Sequence, residues 1–206
     1  GSTGYGRPFR ELLNGAWGHV DVEDAAAAAR HLAAEGLVDG DRMAIRGGSA
    51  GGTTTLLATL LGHDFAAGVS YFGVTDIGDL LATTHKFESR YFDSIIGPMP
   101  DAEPIVLERS PITHAGSAHV PTLILQGLED AVVPPAQAEA IVAALEANEV
   151  PHAYLPFEGE QHGFRIAANQ VAALESELSF YGQVFGVAPA GDSSPIQLRF
   201  AENLGR

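Results

Sequence analysis

Gly47-Gly48-Ser49-Ala50-Gly51-Gly52 has the form GxSxG, and it stands between the apolar run Arg42-Met43-Ala44-Ile45 and the helix-forming run Thr53-Thr54-Thr55-Leu56-Leu57-Ala58-Thr59-Leu60-Leu61. A strand over 42–46, a tight turn at Ser49 and a helix over 53–61 is the setting in which a serine is lifted on an elbow above a sheet. So sharp a turn forces unusual backbone angles and a close approach of strand to helix, which a Cβ obstructs; hence the glycines, and hence the small Ala50. The helix that follows points free N–H groups at Ser49, where negative charge develops during acyl transfer. With 24 glycines in 206 residues the same run also reads as a plain glycine-rich loop, so the rest of the chain has to decide.

Outward from the elbow the chain alternates. Upstream, Asp21 opens a helix through Glu35, with acids in its first turn and a run of alanines, and Gly36 stops it. Before it, residues 1–18 read as a loop with a short irregular helix around 8–13. Downstream, Ala67 to Gly73 is a second buried strand, 74–98 reads as helical pieces, and Pro98, Pro100, Pro104 and Pro111 mark a loop-rich excursion. Thr122 to Gly127 is continuously apolar, as a strand covered on both faces should be, and a helix follows over 136–148. A fourth strand over 151–156 leads through Glu160-Gln161-His162-Gly163-Phe164 to a last amphipathic helix over 166–185. This alternation implies an α/β fold with a mostly parallel sheet and helices on both faces. Residues 187–206, with Pro189, Gly191, Asp192, Ser193, Ser194 and Pro195, read as a loose tail behind a domain over 1–186.

Composition narrows the function. A chain of 206 residues that is 46% hydrophobic can bury one sizeable core. A net charge of −15 disfavours nucleic acid and anionic membrane as partners, and no stretch approaches the ~20 apolar residues of a membrane span. Without cysteine there is no thiolate nucleophile, disulfide or cysteine metal site. The sequence shows no signal-peptide pattern, which makes a cytoplasmic location the expectation.

Three residues follow strand ends, where reactive groups collect in an open parallel sheet: Ser49 after the first strand, Asp130 after the third and His162 after the fourth. Their chain order, serine then acid then histidine, is that of an α/β-hydrolase. A hydroxyl is a poor nucleophile until an imidazole takes its proton, and the imidazole needs a carboxylate to fix its tautomer and steady its charge. Taken singly, each has a plain alternative: an aspartate after a strand is often a turn former, and His162 is one of 8 histidines. Glu129 adjoins Asp130 and is its rival for the acid.

The Gly1 to Gly6 segment (GSTGYG), Trp17-Gly18 with Asp21 to Asp24, the elbow, Ser110-Pro111, Gln126-Gly127 through Asp130 and Pro134, and Glu160 to Phe164 together resemble the catalytic domain of the prolyl oligopeptidase family, in its dipeptidyl or acylaminoacyl peptidase branch, over about 1–186. The resemblance favours Asp130 over Glu129. It implies a serine peptidase acting on short peptides through an acyl-enzyme, with a carboxylesterase on small acyl esters and a catalytically silent chain as alternatives, and it implies no metal or organic cofactor. It also implies that the Ala50 N–H is an oxyanion donor and that Val74, Ile77, Val132 and Val133 line the specificity pocket. Glu88 and Arg90 fall near that pocket, as binders of a substrate terminus or as a surface ion pair. Relatives of this kind carry an N-terminal propeller, and upstream of the GSTGYG segment they carry the first sheet strands and a second oxyanion donor. The expectation is therefore a fragment of a longer polypeptide whose strand at 42–46 is an exposed apolar edge. The resemblance leaves room for a homo-oligomer.

Overall fold

The computed structural model describes residues 1–84, 86, 88, 90–189 and 195–205. Four strands, β1 (Ala44–Gly48), β2 (Ala67–Tyr71), β3 (Thr122–Gly127) and β4 (His152–Phe157), form one sheet in the order β1-β2-β3-β4, every neighbouring pair parallel. The helices are α1 (Arg7–Glu11), α2 (Val20–Ala34), α3 (Ala50–Leu61), α4 (Ile77–Thr83), α5 (Tyr91–Ile95), α6 (Glu103–Arg109), α7 (Pro135–Ala147) and α8 (Ala167–Phe185). This is the α/β-hydrolase arrangement expected from the alternation.

The two faces of β3 show how the core is divided, because side chains alternate across a sheet. Ile124 packs with Leu56 and Leu60 of α3 and Ile141 and Leu145 of α7. Leu123 and Leu125 point the other way, to Ala173 and Phe180 of α8. All six residues of β3 are buried, which accounts for the apolar run Leu123-Ile124-Leu125 at its centre. A third cluster, with Trp17, Ile77, Leu80, Phe92 and Val106, joins the N-terminal segment to the helices after β2.

Several boundaries differ from the sequence reading. The first strand lies at 44–48 rather than 42–46, since Gly47 and Gly48 still pair with Ser70 and Tyr71. The second ends at Tyr71, not Gly73, because Phe72 turns the chain at φ 39°. The proline-marked excursion holds α6, with Pro104 in its first turn, where a missing N–H costs no helical bond.

Among the described residues β1 is an edge of the sheet, and it carries a charge where a bare apolar edge was expected. Arg46 Nε lies 2.7 Å from Glu177 Oε1, whose buried carboxylate also accepts the hydroxyls of Tyr71 at 2.6 Å and Tyr181 at 2.9 Å. Burial, then the bond to Glu177, pushes the Tyr71 hydroxyl up to about 12.

The tail is corrected in part. Ala190 to Ser194 and Arg206 lie outside the described residues, but Leu198 is buried in the α8 core and Arg199 exchanges backbone hydrogen bonds with His152 at the outer side of β4. Apolar side chains at Ile196 and Leu198 find a sheet face to cover, so this segment docks. No helix among the described residues is long and apolar enough to cross a membrane.

Candidate active site

Ser49 sits between β1 and α3 at φ 54° and ψ −120°, a conformation that non-glycine residues adopt only when the surroundings enforce it. Its N–H donates to the Tyr71 carbonyl at 2.9 Å, and its own carbonyl accepts from Gly52 and Thr53, opening α3. Close approach explains Gly52: a Cβ there would stand 2.6 Å from the Gly73 Cα.

Asp130 is held by the turn after β3. Its Oδ1 accepts the backbone N–H groups of Val132 and Val133, both at 2.9 Å, leaving Oδ2 for His162 Nδ1 at 2.8 Å. Gln126, wholly buried, donates to the same Oδ2 at 3.3 Å. Burial pushes the Asp130 carboxyl up, but the hydrogen bonds from His162, Val133 and Val132 outweigh it and hold the group below its ordinary value. An ionised carboxylate only accepts, so His162 Nδ1 carries the proton and Nε2 is left to accept from the Ser49 hydroxyl, 2.8 Å away. Glu129 is exposed, and its backbone N–H donates to the Glu160 carbonyl; Asp130 is the acid that faces His162.

His162 is carried on the loop after β4. Glu160, 1% exposed, anchors that loop by accepting from the N–H groups of Arg165 at 2.8 Å and Ile166 at 2.9 Å and from Asn169 Nδ2 at 3.1 Å. Burial raises its carboxyl and these donors together lower it below the usual glutamate value. The His162 ring lies 4.9 Å from the ring of Phe72.

A cavity of about 440 Å³ opens at Ser49 and His162. Of the four residues the resemblance assigned to the pocket, Val74, Val132 and Val133 border this cavity, and so do Ala50 and Glu88. Ile77 does not: it is fully buried in the core behind the wall, because α4 turns it inward. Arg90 does not line it either and pairs with Asp93 at 2.9 Å. Sequence reasoning missed Leu13, Trp17, Leu80, Tyr91 and Phe92, which make the wall apolar and aromatic. Ala50 is the first residue of α3, a position whose N–H has no carbonyl one turn earlier in the helix to bond. The arrangement is suited to moving a proton from Ser49 Oγ to His162 Nε2 beside an apolar pocket, which is the geometry of nucleophilic acyl transfer.

A family profile described as the prolyl oligopeptidase family matches residues 1–188. Dipeptidyl aminopeptidase BIII of Pseudoxanthomonas mexicana is 33% identical over 202 residues, a match covering 95% of this chain and 29% of that protein. An acylamino-acid-releasing enzyme of Arabidopsis thaliana is 33% identical over 175 residues, covering 79% of this chain and 22% of its own length. Among solved structures, a puromycin-hydrolyzing peptidase of Mycobacterium tuberculosis superposes with a TM-score of 0.92 at 52% identity, covering 96% of this chain and 30% of that one. The chain thus spans less than a third of the length of each of these relatives.

Proposed function

The chain belongs to the prolyl oligopeptidase family, and from that premise we propose that it is the catalytic part of a serine peptidase that cleaves short peptides, of aminopeptidase, dipeptidyl or acylaminoacyl type. The observation that carries this reading is the unbroken run of hydrogen bonds from Ser49 Oγ to His162 Nε2 and from His162 Nδ1 to Asp130 Oδ2. Ser49 Oγ attacks the carbonyl carbon of the scissile amide as His162 Nε2 takes its proton. Asp130 keeps the imidazole in the required tautomer and stabilises its positive charge. The oxygen of the tetrahedral intermediate receives the Ala50 N–H. Collapse breaks the C–N bond, the leaving amine takes the proton from Nε2, and an ester to Ser49 remains. Water then attacks that ester with His162 as base, freeing the acid and the serine.

The apolar wall of Trp17, Val74, Tyr91, Phe92 and Val133 suits a bulky apolar side chain at the cleavage point. The length of the relatives supports an N-terminal propeller that limits access to small peptides as part of this reading. A fluorophosphonate applied to the full-length protein should label Ser49 alone, and Ser49→Ala should abolish labelling. Aminoacyl anilides should then be turned over in preference to short-chain acyl esters; the reverse preference would make the protein an esterase.

A further inference from the structure

Two neighbouring strands of the sheet end level with each other. Gly48 of β1 pairs with Tyr71 of β2, so Ser49 and Phe72 are each the first residue past adjacent strand ends. Both have positive φ, 54° at Ser49 and 39° at Phe72. For a bulky aromatic residue this backbone is a steric outlier that persists only where its surroundings hold it. Here the Phe72 N–H donates to the Leu125 carbonyl at 2.8 Å, pinning the turn to β3.

Core packing does not account for that turn, since Phe72 is only half-buried and borders an open hollow of about 260 Å³ beside Arg46 and Leu174. What the turn achieves is to aim the ring. Phe72 meets the His162 ring at 4.9 Å and 62°, and the Phe164 ring at 5.5 Å and 76°. It lies so close over Gly48 that a Cβ there would be 3.2 Å from Phe72 Cε2. The two hydrogen bonds of His162 lie in the plane of its ring, and they leave the imidazole free to rock about the line joining their partners. The edgewise contact with Phe72 removes that freedom.

We infer that Phe72 is a positioning residue for His162, its backbone held at positive φ so that its ring keeps the imidazole aligned between Ser49 and Asp130. The inference rests on the proposed role of His162 as base. Its importance is greatest once Ser49 Oγ is acylated. The bond from the Ser49 hydroxyl to Nε2 is then gone, and Asp130 and Phe72 keep the ring where it must take a proton from the attacking water and return it to Ser49 Oγ.

The test compares Phe72→Leu, Phe72→Tyr, Phe157→Leu and His162→Ala in the full-length protein. Phe157 packs on Phe164 at 4.7 Å in the same aromatic cluster, and among the described ring contacts it does not reach His162, so it controls for loosening of the cluster. Phe72→Leu should lower kcat by about tenfold or more with KM within about twofold, as a misaligned catalytic group does. Phe72→Tyr should restore most of kcat, and Phe157→Leu should keep it. Unchanged kcat in Phe72→Leu, or an equal loss in Phe157→Leu, overturns the inference. Should Phe72→Leu fail to fold, Phe72→Met takes its place in the same comparison, and an unchanged kcat there overturns the inference. An active His162→Ala overturns the base assignment and this inference together, whereas an inactive His162→Ala beside an active Phe72→Leu overturns this inference alone.

Discussion

Gly47 approaches Gly51 so closely that a Cβ on Gly47 would stand 2.2 Å from the Gly51 carbonyl oxygen. The contact is with backbone, which cannot swing aside as a side chain can. The two glycines of the motif therefore have different duties: Gly47 gives space, whereas a Cβ on Gly51 would meet nothing within 4 Å. Gly47→Ala should destabilise the fold by about 3 kcal/mol or more and abolish labelling of Ser49. Gly51→Ala, in the first turn of α3, should be neutral or stabilise by up to about 1 kcal/mol. Melting curves of the two variants check this, and similar losses in both would show that crowding at Gly47 is not the cause.

Asp130 and Glu129 give a second contrast. Only Asp130 touches His162, and it does so with the oxygen that its backbone donors leave available. Asp130→Asn should lower kcat by about 10⁴, because the amide favours the wrong imidazole tautomer. Glu129→Gln should leave turnover nearly unchanged. Equal losses would mean that the acid acts through the turn and not through the imidazole.

Glu160 sets an acid limit to stability. Its carboxyl is held below its ordinary value in the fold, so its contribution is fully present above the unfolded value of about 4.3 and is lost as pH falls through the lower folded value. The melting temperature of the wild type should exceed that of Glu160→Gln by a constant margin from pH 7 to about pH 5, and the margin should close below about pH 4. A margin that persists to pH 2 would show that the charge of Glu160 is not what anchors the His162 loop.

Much of this site was legible because each of its residues follows a strand bracketed by turn formers. Ser49 and His162 could be placed by counting strand ends, whereas the choice of Asp130 over its neighbour Glu129 needed the family resemblance. The first strand was read two residues early because Gly47 and Gly48 look like turn, and only the pairing with Ser70 and Tyr71 shows that they extend the sheet. Ile77 was read as pocket wall because an apolar residue after a strand carries no mark of which way its helix will face it. Trp17 and Tyr91 reach the cavity from distant segments with no shared periodicity, so nothing local announced them. The tail did carry a signal: Ile196-Gln197-Leu198-Arg199-Phe200 alternates apolar and polar with the period of a strand, and Arg199 bridges β4.

Gln137 governs the shape of the pocket from outside it. Its side chain, 5% exposed, accepts the N–H groups of Thr75 at 2.9 Å and Asp76 at 3.1 Å and donates to Asp79 Oδ2 at 3.0 Å, while its carbonyl accepts the Thr75 hydroxyl at 2.8 Å. These bonds tie α7 to the start of α4, and so fix Val74 and Leu80, which border the cavity. Gln137→Leu leaves two backbone donors without their acceptor, and should destabilise the protein by about 2–4 kcal/mol. It should raise KM severalfold and change kcat little, since neither Ser49 nor His162 touches this network. Gln137→Glu separates the hydrogen bonds from mere shape. It keeps the acceptor for both N–H groups but sets a second carboxylate against Asp79, so one of the two must hold a proton and its value in the fold is raised. Stability favoured by that proton is present at pH 4 and is lost as pH rises, so Gln137→Glu should melt close to wild type at pH 4 and well below it at pH 8. A Gln137→Glu protein that melts like wild type at both pH values would show that size and not hydrogen bonding holds α4 in place, and an unchanged KM in Gln137→Leu would show that the pocket wall does not depend on this tie.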